Sequence, residues 1–163
     1  MASRSPSLEP TIIIVHSDPE RVIYLDEIVM TALDVCATGF IDSSLALEWF
    51  AAHPARADLI IVKEGMPQLS GFKLLKALDA VLLRPVYSIF LIDHSVNEAH
   101  AQEWYYGLDR VFSMVRPLRA VRYPYLMHSI AMALHEAFPW RIAEKHQQQN
   151  HNQDSGLRNG LKL

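Results

Sequence analysis

The sequence predicts an α/β domain built on an open, doubly wound parallel sheet. Short, continuous apolar runs recur at Thr11–Val15 (TIIIV), Asp58–Val62 (DLIIV) and Ser88–Ile92 (SIFLI). Unbroken apolarity of that length marks strands buried on both faces. Helical periodicity fills the intervals between the runs. The chain has 163 residues, half of them hydrophobic and a fifth charged, which suits one compact domain with a real core.

The elements follow in order. After the first run, Arg21–Leu33 places Val22, Leu25, Ile28, Val29 and Ala32 on one helical face. Val35–Thr38 (VCAT) is a weaker second strand, with the single cysteine, Cys36, expected as a small buried hydrophobe. Ser43–Ala52 is a helix carrying Leu45, Ala46, Leu47, Trp49 and Phe50, capped by Ser43 or Ser44. Gly71–Leu78 and Glu98–Tyr106 are two more short helices around the Ser88–Ile92 strand. Val111–Val115 (VFSMV) is the fifth strand. The last helix runs from about Pro124, a residue suited to a first turn, to Phe138, with Leu126, Ile130, Leu134 and Phe138 as its buried stripe.

This βα alternation implies right-handed crossovers and one reversal of winding. Sites in such sheets lie beyond the C-terminal ends of the strands. The residues there are His16-Ser17-Asp18, Lys63-Glu64-Gly65, Asp93-His94-Ser95 and Arg116-Pro117.

Composition narrows the function. A net charge of −3 and a pI near 6.2 provide no basic footprint for nucleic acid. One cysteine allows no internal disulfide, which suits a reducing cytoplasm. No apolar run reaches the roughly 18 residues that span a bilayer. Residues 1–10 lack an apolar core behind Arg4 and are expected to be a disordered leader. Residues 11–140 form the domain, and 141–163 a flexible Gln/Asn-rich tail or linker. His146 and His151 in that tail have no second ligand pair, so no metal site is expected. The six glycines include no G-x-G spacing, so there is no glycine-rich phosphate loop.

The stretch Ala57–Leu78, ADLIIVKEGMPQLSGFKLLKAL, resembles receiver domains of bacterial two-component response regulators (CheY-like). Met66-Pro67, Gly71-Phe72 and Leu74-Leu75 fall at matching offsets. The opening IIIVHSDPERV is similar to the receiver start. Gly107 resembles the glycine ending the fourth helix, and Arg116-Pro117 the Lys-Pro pair after the fifth strand, with about two extra residues after Gly107. The resemblance spans Thr11 to Phe138. It implies a flavodoxin-like, five-stranded parallel sheet in order 2-1-3-4-5 with five helices.

It also implies phosphoryl transfer, which demands particular residue types. A carboxylate ending the third strand accepts the phosphoryl group, and two acidic side chains after the first strand help hold Mg²⁺. A hydroxyl after the fourth strand and a lysine after the fifth bind phosphoryl oxygens. Here the nucleophile position is Lys63, whose ammonium forms no acyl phosphate and repels Mg²⁺. The acidic pair falls on His16 and Ser17, with only Asp18 retaining a carboxylate one position later. The hydroxyl position falls on Ile92 or Asp93, and Arg116 replaces the lysine before Pro117. The expected result is a degenerate pocket with no catalytic residue, no metal and no cofactor, in which Lys63 pairs with Asp18 or Asp93. His16 and His94 flank it.

Trp104-Tyr105-Tyr106 ends the fourth helix. Three consecutive aromatics cannot all face inward, so at least one is expected outside, as a candidate interaction face. His128, His135 and Met127 on the fifth helix fit the same reading. The expected function is a non-enzymatic pseudo-receiver, cytoplasmic, acting through a protein partner or its own dimer, without nucleic acid or membrane. Two alternatives stand beside it. One is a phosphorylatable regulator using Asp18 and Asp93, and the other a flavodoxin-like small-anion binder using Lys63, Arg116 and strand-end amides.

Overall fold

The computed structural model describes residues 9–93, 96–113, 120–122 and 126–139. Its elements are β1 (Ile12–Val15), α1 (Pro19–Leu33), β2 (Thr38–Phe40), α2 (Ser43–Ala52), β3 (Leu59–Lys63) and α3 (Gly71–Val81). Then come β4 (Val86–Ile92), α4 (Glu98–Tyr105), β5 (Val111–Ser113), β6 (Ala120–Arg122) and α5 (Leu126–Ala137). The strands are parallel in order β2-β1-β3-β4-β5, as predicted, and β6 also pairs with β4.

Alternation along the central strands divides the core into two layers. Ile13, Val15, Ile60, Val62, Phe90 and Ile92 face α2, α3 and α4. Ile12, Ile14, Leu59, Ile61, Ile89 and Leu91 face α1 and α5. The helical stripes read from the sequence meet these layers. Leu25, Ile28, Val29 and Ala32 of α1 are buried, as are Ile130 and Leu134 of α5 and Phe138 beyond it. The side chains of Leu126 and Met127, and Pro124 itself, lie outside the described residues.

The first two helices start on carboxylates. Asp18 caps α1 by accepting from the Glu20 amide at 3.0 Å, with Pro19 following at the first turn. Asp42, and neither Ser43 nor Ser44, caps α2, accepting from the Ser44 amide at 2.7 Å. Ser43 is instead fully buried and accepts from the Leu69 amide at 3.0 Å. Leu45, placed among the apolar residues of that helix, is 52% exposed.

The second strand starts later than the sequence suggests. Asp34 takes the left-handed conformation (φ 59°) at the end of α1. The Ala37 amide then donates to Asp26 at 2.8 Å, which ties the connector to α1. Pairing with β1 begins only at Thr38, opposite Ile13. Cys36 therefore lies in the connector and is exposed, not buried on a strand.

The fifth strand position differs most from expectation. Both β5 and β6 lie on the edge of β4 away from β3. Val111 sits opposite Val86 and Ala120 opposite Phe90, so this edge advances nine residues while β4 advances four. The fifth strand starts at Val111, as the sequence suggests, and residues 114–119 lie outside the described residues. Asp79 of α3 fixes that start. Its carboxylate accepts the amides of Asp109, Arg110 and Val111 at 3.2, 2.6 and 3.1 Å, close behind Gly107.

Candidate functional site

Register brings the predicted residues together at the C-terminal end of the sheet. Val15 pairs with Val62, so His16 and Lys63 are the next neighbours along β1 and β3. Lys63 itself pairs with Leu91. The ladders continue one residue further: the His16 amide donates to the Phe40 carbonyl at 3.0 Å, and the Glu64 amide to the Leu91 carbonyl at 2.9 Å.

Lys63 is half-buried at the last position of β3. Its ammonium donates to Ser17 Oγ at 3.4 Å. The expected ion pair with Asp18 or Asp93 is not formed; among the described residues the ion pair present is Arg84–Asp58, at 2.8 Å, near the opposite end of the sheet. The physical reason lies in the loop after β1. Asp18 is exposed and its Oδ1 is held by the Glu20 amide, so the one carboxylate retained there serves the helix.

His16 is nearly fully buried, with 3% of its surface exposed. Its Nδ1 accepts from the Asp18 amide at 3.0 Å, which places the ring proton on Nε2. Burial, reinforced by the Lys63 ammonium, lowers its pKa from 6.5 to about 4. The imidazole is therefore neutral at physiological pH.

Glu64 was visible in the sequence only as a neighbour of Lys63, yet it organises the next loop. Its Oε2 accepts from the Phe72 amide at 2.8 Å, and Ser70 also hydrogen-bonds the carboxylate. Burial raises its pKa, opposed by those hydrogen bonds. Its backbone carbonyl accepts the amides of Met66 and Gly71, both at 2.8 Å. These bonds draw α3 so close that a Cβ on Gly71 would lie 2.3 Å from the Lys63 carbonyl oxygen. The sequence signal for this role was Gly71 itself, whose missing side chain permits close backbone approach.

Ile92 is buried and Asp93 is exposed just beyond β4, where its charge acts on Glu64. Neither supplies a hydroxyl. Arg116, Pro117 and His94 lie outside the described residues, and in the register of β6 the residue opposite Ile92 is Arg122. On α4 the three aromatics separate as their spacing requires. Trp104 packs on Phe72, with ring centroids 4.7 Å apart, and on Phe90. Tyr105 Oη is hydrogen-bonded to the fully buried Ser88 at 2.9 Å, and Ser88 also reaches the Phe112 carbonyl at 3.2 Å. Tyr106 is 86% exposed. On α5, His128 and His135 are also exposed.

The residues present do not fit a divalent cation. The strand-end position that a metal site would fill with carboxylate carries the Lys63 ammonium, His16 Nδ1 is occupied by an amide, and Asp18 is turned to α1. Among the described residues, no group of three or more His, Cys, Asp or Glu side chains is placed to hold a metal ion. Nor is any helix there long and apolar enough to cross a membrane.

No protein-family model matches the sequence, and no curated protein does. Solved structures match well in shape. A response regulator receiver domain protein from Clostridium thermocellum superposes with a TM-score of 0.64 at 15% identity, covering 82% of this chain and 98% of that one. The chemotaxis protein CheY4 of Vibrio cholerae gives 0.59 at 16% identity, covering 80% and 99%. The CheX-CheY-BeF3-Mg complex of Borrelia burgdorferi gives 0.63 at 13% identity, covering 79% and 89%. With the strand order and five helices above, these likenesses show that the chain has the flavodoxin-like fold of response regulator receiver domains.

Proposed function

We propose that this chain is a receiver-like signalling module that acts by protein–protein contact and without aspartyl phosphorylation. One observation carries the reading. The side chain ending β3, where the chemistry needs a carboxylate nucleophile, is a lysine directed at a serine hydroxyl. Aspartyl phosphorylation needs an anionic nucleophile and a cation that neutralises the transferring group. Lys63, His16 and Ser17 supply neither, and Asp18 is engaged by α1.

With the covalent switch absent, contact is the remaining output. The exposed Tyr106 ring, at the C-cap of α4, supports a protein-facing surface. One structural neighbour was solved as a CheX-CheY complex, which supports partner binding as a use of this fold. The reading therefore assigns the chain no enzymatic reaction and no cofactor, and places it in the cytoplasm with a protein partner or a second copy of itself.

Calorimetric titration with Mg²⁺ tests the pocket half of this reading. Wild-type protein is expected to release no binding heat at millimolar Mg²⁺. Lys63→Asp is expected to behave the same, because His16 and Ser17 still provide no carboxylate. Saturable Mg²⁺ binding by the wild type, or tight binding gained by Lys63→Asp alone, contradicts it.

A further inference from the structure

The outer edge of β2 is open. β2 ends the strand order β2-β1-β3-β4-β5, and among the described residues it pairs with β1 alone. The Phe40 carbonyl faces β1, where it accepts from the His16 amide. Peptide groups alternate in direction along a strand, so the N–H and C=O of Gly39 point the other way, off the sheet. Edge strands are ordinarily kept from pairing by charge, proline or a bulge. The segment Val35–Ile41 (VCATGFI) carries no charged residue and no proline.

Apolar side chains flank this edge on both faces of the sheet. On α1, Asp26 accepts the Ala37 amide at 2.8 Å, so its flank of the helix overlooks the approach to β2. Ile23 and Met30, three residues before Asp26 and four after it, share that flank and are 61% and 37% exposed. A Cβ on Gly39 would collide with Val22 of the same helix, so α1 lies close against the edge strand. On the other face, Trp49 of α2 packs against Phe40, with ring centroids 6.4 Å apart. Leu45, four residues before Trp49, is 52% exposed, and Ile41 just beyond β2 is 53% exposed. A stable interface buries about 800 Å² per partner, more than three strand residues supply. The flanks add these four large apolar side chains to the strand.

We propose that two copies of this chain pair through β2, antiparallel, about a twofold axis at Gly39. Each Gly39 amide then donates to the Gly39 carbonyl of the other copy, and the sheet runs on from one copy into the next. The axis stands normal to the sheet, so α1 comes beside α1 and α2 beside α2. Ile23 and Met30 meet their own equivalents on one face, and Leu45 meets its own on the other. That is the self-complementarity a twofold interface requires. The dimer deepens the contact reading above by naming the second copy as partner and β2 as its face. It makes no use of the pocket at the end of β3, so it and the Mg²⁺ titration can fail separately.

Sedimentation velocity of the full chain over a dilution series from hundreds of micromolar to below one micromolar tests it, with amide hydrogen exchange read at Gly39. The wild type is expected to pass from monomer to dimer as concentration rises, with Gly39 exchange slowing in step. Leu45→Glu and Ile23→Glu, on opposite faces of the edge, are each expected to weaken the dimer about tenfold or more, because every dimer carries the substitution twice. Met132→Glu, at an exposed apolar position on α5, is expected to leave the dissociation constant unchanged. A wild type that stays monomeric overturns the proposal, whether a segment of the same chain already protects Gly39 or its amide exchanges freely. A dimer that survives both edge variants, or that Met132→Glu alone breaks, overturns it as well.

Discussion

His16 and Glu64 show how two titrating side chains at one end of a sheet oppose each other in pH dependence. The folded state holds His16 neutral to about pH 4, whereas the unfolded chain protonates it near 6.5. Between those values the unfolded state binds more protons, so stability is present above about 6.5 and is lost as pH falls toward 4. His16→Asn keeps an acceptor for the Asp18 amide. It is expected to remove a loss of about 1–3 kcal/mol between pH 6.5 and 4, read as urea midpoints across that range for variant and wild type. Glu64 runs the other way. Burial raises its folded pKa, so its contribution is present at low pH and is lost as pH rises through that value. Glu64→Gln keeps an acceptor for the Phe72 amide, and its stability relative to wild type is expected to increase from pH 5 to pH 8. Glu64→Ala, which abandons that amide, is expected to cost about 1 kcal/mol at either pH. The place of Lys63 was legible because the apolar run Leu59–Val62 stops just before it. Its partner was not. Asp18-Pro19-Glu20 is also a helix-start pattern, and the helix claimed the carboxylate that the pocket reading had reserved for the lysine.

At the scale of elements, the central strands were legible in full and the edge strands only in part. β1, β3 and β4 are buried on both faces, so their apolarity is continuous in the sequence. β2 is an edge strand of three residues, two of them exposed, and leaves no such trace. The fifth strand position is an edge as well. There Asp79 of α3 fixes where pairing starts, a contact across 31 residues that no local pattern announces. The β3–α3 turn is the opposite case, since its Met-Pro-x-x-x-Gly spacing reflects a contact that can be measured. Gly71 must let the helix start against the Lys63 carbonyl, with 2.3 Å left for any Cβ. Gly71→Ala is therefore expected to lose about 1–3 kcal/mol in denaturant melts, because backbone and not a flexible side chain must move. A melting midpoint equal to wild type contradicts that account of the turn.

For the whole molecule, fold and chemistry separate. The parallel sheet in receiver order and its flanking helices survive at 13–16% identity to three of the solved neighbours, because buried apolar patterning tolerates wide exchange of residues. The phosphorylation pocket depends on a few residue types that admit no such exchange. Fold alone therefore does not assign the reaction, and the strand-end residues must be judged one at a time. Judged that way, an ammonium ends β3, a neutral buried imidazole follows β1, and Asp18 and Glu64 each accept a helix amide. The most direct measurement is the intact mass of the protein after incubation with acetyl phosphate and Mg²⁺. The account predicts an unchanged mass. Stoichiometric addition of one phosphoryl group, lost on treatment with hydroxylamine as an acyl phosphate would be, contradicts it.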